Sequence, residues 1–136
     1  MSAATRRGLL LLLGSVPLAG CFPTPKLQYE TLTVGDVHNG RILTLAQYGM
    51  LVVELPATTS AGYSWSIVEQ SPALKLWTAP TERPEKQGQA PSAPKIQTFT
   101  FKALETGKAT LRLELRRPWE TDKPPAGVWS ATVDIT

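Results

Sequence analysis

The chain has 136 residues, the size of a single domain, with 14 Lys and Arg, 11 Asp and Glu, one His and one Cys. Two of the cations, Arg6 and Arg7, sit in an N-terminal leader; without them the balance is 12 against 11, a net of +1, so charge gives no support to nucleic-acid or anionic-surface binding. One Cys excludes an intrachain disulfide, and one His beside it leaves zinc without a ligand set.

In the leader, Arg6 and Arg7 form a positive n-region ahead of the apolar run Gly8–Leu13, which continues to Ala19. The run is too short and wrongly flanked for a spanning helix and reads as a secretory signal. Its ending, Leu18-Ala19-Gly20-Cys21, resembles a bacterial lipobox, in which the cysteine sulfur takes a diacylglycerol and becomes the new N-terminus. The expected organisation is a lipoprotein signal peptide over 1–20, a proline-containing tether over 21–27 that starts at lipidated Cys21, and one domain over 28–136. The expected location is the bacterial cell envelope, lipid-anchored, with the domain in the periplasm or outside. Acylation of Cys21 removes the only thiol, so the fold must come from burial alone, which about 110 residues can supply.

From Gln28 on, short strands alternate with Gly and Pro turns. Gln28–Val34 is the first strand, and the Asn39-Gly40 pair that follows predicts a hairpin turn. Arg41–Ala46 resumes the strand pattern, with Leu43 and Leu45 on one face and Ile42 and Thr44 on the other. Met50–Leu55 is nearly all apolar, which predicts a strand covered on both sides and ended by Pro56. Ala57–Gly62 carries only small side chains. Tyr63–Val68 alternates again, with Tyr63, Trp65 and Ile67 on one face, and Leu74–Trp77 is a further short strand. The polar run Thr78–Pro94 contains Pro80, Pro84, Pro91 and Pro94 and has no periodicity, which marks it as mobile or functional.

Gln97–Ala103 places Phe99, Phe101 and Ala103 on one face, and Glu105–Lys108 turns into the next strand. There Leu111, Leu113 and Leu115 alternate strictly with Arg112, Glu114 and Arg116 until Pro118, which has no N–H for a ladder, ends the strand. Val128–Ile135 alternates with Trp129, Ala131, Val133 and Ile135 facing inward. Seven to eight short strands, with no sustained 3.6-residue period outside the leader, predict an all-β sandwich.

Catalytic chemistry finds little support. His38 lies beside the predicted turn, where a solvated role far outweighs a catalytic one. There is no nucleophile-elbow Gly-x-Ser-x-Gly and no phosphate-binding glycine loop, and the carboxylates are scattered over polar strand faces. The expectation is a protein that is not an enzyme, with no cofactor and no metal. Three connections remain: Ala57–Gly62 before Tyr63-x-Trp65, the proline-rich run before Phe99-x-Phe101, and Arg117-Pro118-Trp119 after the Leu111 strand. Loops at one end of a sandwich can converge on a common surface. For Trp119 two readings stay open: an exposed anchor for a partner, or a lid folded back on the core with Arg117 merely solvated.

From about Glu30 to Ile135 the sequence resembles the chagasin-like inhibitors of papain-type cysteine peptidases. That family has an immunoglobulin-like β-sandwich with three binding loops at one end. Its first loop reads Asn-Pro-Thr-Thr-Gly-Tyr/Phe-x-Trp after a Leu-Pro strand end. Here Leu55-Pro56 leads into Ala57-Thr58-Thr59-Ser60-Ala61-Gly62-Tyr63-Ser64-Trp65, so the Gly-Tyr-x-Trp half matches, Ser60 keeps a hydroxyl, and Ala61 stands for the second Thr. The family's middle loop is glycine-rich, whereas Pro91-Ser92-Ala93-Pro94-Lys95 occupies that place, and Pro94 forbids positive φ. Arg117-Pro118-Trp119 matches the third loop in full.

The resemblance implies a tight, reversible inhibitor that occludes the cleft of a papain-family cysteine peptidase. Thr58, Thr59, Ser60, Ala61, Gly62 and Tyr63 would enter the cleft without presenting a cleavable bond. Trp119 would stack beside the cleft, and either Arg117 or the middle loop, with Ser92, Ala93 and Pro94, would clasp its other rim; Pro118 belongs to the same binding set. The implied partners are the peptidase and, through a lipid on Cys21, the membrane; the chain is expected to be monomeric and not to bind nucleic acid. The altered middle loop motivates a rival expectation, an envelope binding or assembly module that keeps the sandwich without the inhibitory activity.

Overall fold

The computed structural model describes residues 29–136, together with Gly14, Gly20 and Cys21; the expected signal peptide and most of the tether lie outside the described residues. Among the described residues nine strands form two sheets: β1 (Thr31–Val34), β2 (Ile42–Leu45), β3 (Met50–Ala57), β4 (Ser64–Gln70), β5 (Leu74–Leu76), β6 (Thr81–Pro84), β7 (Lys95–Ala103), β8 (Gly107–Arg116) and β9 (Gly127–Ile135). The first sheet runs β1-β3-β7, with β5 and β6 both pairing the far side of β7; the second runs β2-β9-β8-β4. The β1–β3 and β2–β9 pairs are parallel and the rest antiparallel.

Alternation explains how the sheets face each other. Leu51, Val53, Leu55 and Ala57 of β3 and Phe99, Phe101 and Ala103 of β7 turn inward to meet Leu111 and Leu113 of β8 and Trp129, Ala131, Val133 and Ile135 of β9. Each large side chain buried in this way contributes about 1.5–3 kcal/mol relative to exposure. Both indole donors within the sandwich are satisfied: Trp129 Nε1 donates to the Gly35 carbonyl at 3.0 Å and Trp65 Nε1 to the Pro56 carbonyl at 2.9 Å.

Four expectations change. Asn39-Gly40 makes no hairpin. Arg41 N–H donates to the His38 carbonyl at 3.1 Å, with Asn39 at φ −59°, ψ 130° and Gly40 at φ +75°. That is type II geometry, whereas two-residue hairpins use the mirror-image turns. The turn instead carries the chain from one sheet to the other, and the Asn39 amide pins it to β9 by donating to the Val128 carbonyl and accepting from Ser130 N–H.

Pro56 does not end β3, which continues to Ala57 with Pro56 opposite Ile96. Beyond Val53, β1 no longer flanks β3, so a missing N–H can be tolerated on that open side. Nor is β3 covered on both faces: every second residue is buried and those between are half-buried. Finally, the run Thr78–Pro94 is not wholly irregular, because Thr81–Pro84 pairs β7 as β6. All four of its residues are exposed, so no alternation could reveal it.

Candidate functional site

Strand register brings three connections to one end. Ala57 at the end of β3 lies opposite Lys95 at the start of β7, Ser64 at the start of β4 opposite Arg116 at the end of β8, and Leu115 opposite Gly127 at the start of β9. The loops 58–63, 85–94 and 117–126 therefore leave the sandwich side by side.

The first loop is a single 3-10 turn, Thr59–Ala61, closed by Ala61 N–H to the Thr58 carbonyl and Gly62 N–H to the Thr59 carbonyl. Gly62 then reverses the chain at φ +88°, a left-handed conformation for which glycine carries no side-chain penalty. In the third loop Glu120 N–H donates to the Arg117 carbonyl at 3.0 Å, a β-turn with Pro118 at its second position, where the fixed φ of proline suits it. This turn lifts Trp119 over Gly62, so that a β-carbon on Gly62 would overlap the indole Cη2.

Trp119 nevertheless stays 66% exposed, so the lid reading is excluded. Arg117 is not merely solvated. Its guanidinium carbon lies 4.4 Å from the centre of the Tyr63 ring and 5.9 Å from that of Trp119, and Nη1 pairs with Glu120 at 3.3 Å. Arg117 Nε is buried and unpaired among the described residues, so the group relies on ring faces and Glu120 for its stabilisation. Lys123, 3.5 Å from the same carboxylate, completes the cluster.

The middle loop has its own geometry. Ala93 N–H donates to the Ala90 carbonyl at 2.9 Å with Pro91 inside the turn, and the Gln89 side chain spans the loop, accepting from Lys86 N–H and donating to the Pro94 carbonyl. Its left-handed residue is Gly88 at φ +73°; Pro91–Lys95 uses no positive φ. Ser60 Oγ donates to the Ser92 carbonyl at 3.4 Å, joining first and middle loops. Ala57, Thr58, Tyr63, Pro94, Leu115 and Ala126 line a cleft of about 340 Å³ between all three. A second cleft, about 460 Å³, runs past Ser64, Ser66, Arg117, Pro118 and Thr121.

The twelve loop residues named from the sequence thus share one end, and three supports were missed. Glu82 on β6 accepts from Thr59 Oγ1 at 3.3 Å and from Lys95 Nζ at 3.1 Å, bracing the first loop from behind. Gln97, buried on β7, bridges the two sheets: its Oε1 accepts Trp65 N–H at 2.7 Å and its Nε2 donates to Ser64 Oγ at 3.1 Å. Glu120 holds Arg117. Only the buried place of Gln97, on the Phe99-Phe101 face, was open to alternation. His38 accepts Gly35 N–H through Nδ1, a local structural role. Among the described residues no group of three or more His, Cys, Asp or Glu could hold a metal ion.

Residues 44–133 match the model of the family described as Chagasin family peptidase inhibitor I42. The chain belongs to the chagasin family. This is a family of peptidase inhibitors, not of enzymes. No curated protein matches the sequence significantly. Among solved structures, the chagasin-type domain is similar to the cysteine protease inhibitor EhICP2 from Entamoeba histolytica, at 23% identity and a TM-score of 0.70, over 80% of this chain and 98% of that one. It is also similar to Amebosin, at 17% identity and a TM-score of 0.61, over 79% and 98%. These likenesses bear out the immunoglobulin-like sandwich.

Proposed function

We propose that this chagasin-family domain is a reversible inhibitor of papain-like cysteine peptidases, held at the bacterial cell envelope by a lipid on Cys21. The observation that carries the reading is the interlock of the first and third loops, Gly62 under Trp119 and Tyr63 under Arg117. It fixes small residues, Thr58–Gly62, beside a half-free indole without a partner present. A surface ordered in advance loses little entropy on docking, which is what tight binding by a few loops requires.

In this reading Thr58–Tyr63 enter the peptidase cleft and Trp119 and Pro118 stack on its wall. Arg117 positions Trp119, and Ser92, Ala93 and Pro94 meet the opposite rim. Ala61 forgoes a hydroxyl worth about 0.5–1.5 kcal/mol, a loss of tenfold or so. The proline turn of the middle loop makes its contact through side chains and carbonyls rather than a close glycine backbone. The domain acts as a monomer.

Titration of the protein against papain or a cathepsin L-type enzyme tests this directly. Competitive, reversible inhibition at or below micromolar protein is the expected result. No inhibition at that concentration would favour the rival, an envelope binding or assembly module. The anchor is tested separately: Cys21→Ala should leave the protein unprocessed or release it to the soluble fraction, and a processed variant that stays with membranes would contradict acylation.

A further inference from the structure

Away from the three loops, the outer face of the first sheet carries an aromatic and cationic cluster. Lys102 of β7 extends its ammonium over two rings, 4.4 Å from the centre of Trp77 and 5.3 Å from that of Tyr29. Both rings are about half exposed, Trp77 at 49% and Tyr29 at 54%. Lys75 lies directly opposite Lys102 in the β5–β7 ladder, and because Leu74 and Leu76 flank it toward the core, it faces outward with Lys102. Like charges paired across strands repel, and among the described residues neither lysine has a carboxylate partner. Glu30 stands near this end but turns to accept Ala46 N–H at 3.1 Å.

Tyr, Trp and Lys at one spot are the side chains suited to a membrane–water interface, with rings at headgroup depth and ammonium groups on phosphate. Tyr29 is also the described residue through which the domain meets its tether, eight chain steps from Cys21, a reach of at most about 29 Å. We infer that this face, Tyr29, Trp77, Lys75 and Lys102, rests on an anionic lipid surface; the inference builds on the lipid-anchor reading and adds an orientation to it. The net charge of the domain supplies no general attraction, so the contact is local. Met50, opposite Lys102, begins β3 and Ala57 ends it, about 23 Å further on at the usual strand rise. The contact therefore lies toward the end of β3 far from the three loops and leaves them uncovered, where a peptidase can reach them.

The test couples the full-length protein through Cys21, its only thiol, to a maleimide-bearing lipid, so that the outcome does not depend on acylation in cells. The vesicles contain phosphatidylethanolamine and phosphatidylglycerol, part of it brominated near the headgroup to quench interfacial tryptophan. The expected result is quenching in the unmodified sequence that is largely lost in Trp77→Phe, kept in Trp119→Phe, and reduced by the double change Lys75→Glu, Lys102→Glu or by added salt. Quenching that is absent, survives Trp77→Phe, disappears with Trp119→Phe, or ignores both charge reversal and salt would overturn the inference.

Discussion

Gly62 and Trp119, 57 positions apart in sequence, form one unit: the indole occupies the space that a side chain at position 62 would need. Gly62 also sits at φ +88°. Gly62→Ala therefore carries two penalties, about 1–2 kcal/mol for a side chain in the left-handed region and the displacement of the ring. Denaturant melts should show a loss of that size, and inhibition should weaken by tenfold or more because the indole must move. Unchanged inhibition would show that Trp119 need not lie where it does.

Trp119→Ala should also weaken binding but spare stability. The side chain is exposed, so removing it opens no core cavity, and stability should stay within about 0.5 kcal/mol. Peptidase binding should weaken by about 2 kcal/mol or more, the size expected of an aromatic hot spot. Arg117→Ala should cost binding less than this, since Arg117 acts by stacking under the loop, and melts together with inhibition constants read both variants.

Gln97 is where stability and the site meet. Gln97→Leu keeps the volume apolar but leaves Trp65 N–H without its partner at the entrance to β4, just after the first loop. A buried amide left unpaired costs about 1–3 kcal/mol, and the melt should report it. An increase in stability would mean that the bridge between the sheets is dispensable.

The β8 ladder of Arg112, Glu114 and Arg116 sets a pH dependence. Arg116, hydrogen-bonded to the Glu114 carboxylate at 2.9 Å, holds its pKa below the ordinary 4.5, with Arg112 adding to the effect against a desolvation that opposes it. A carboxylate with a lowered folded-state pKa stabilises the fold fully above its unfolded value, and that contribution is lost as pH falls through the folded one. Wild type should thus lose stability on acidification below about pH 4.5 more steeply than Glu114→Gln. Parallel acid melts would contradict it.

Much of this architecture is legible in the sequence because one face of most strands is buried. Leu111, Leu113 and Trp129, Ala131, Val133, Ile135 announce β8 and β9 by alternation alone, and the structure buries each of them. Where alternation is absent the reading fails. β6 is exposed along its whole length, so burial leaves no periodic mark on it, and the Asn39-Gly40 dipeptide suits several turns, of which the sheet crossover selected type II. The three loops are nameable from their resemblance to the chagasin family, but their interlock is not. No local pattern joins Gly62 to Trp119, Arg117 to Tyr63, or Glu82 to Thr59, because register sets those distances.

The central claim is that the three-loop end covers a peptidase's catalytic cysteine. The most direct measurement is the rate at which iodoacetamide alkylates the active-site thiol of papain in the presence of excess protein. The account predicts that alkylation slows in proportion to the fraction bound and moves back toward the free rate with Trp119→Ala at the same concentration. Alkylation at the free-enzyme rate while binding is shown to be saturated would contradict it, because the protein would then be bound somewhere other than the cleft.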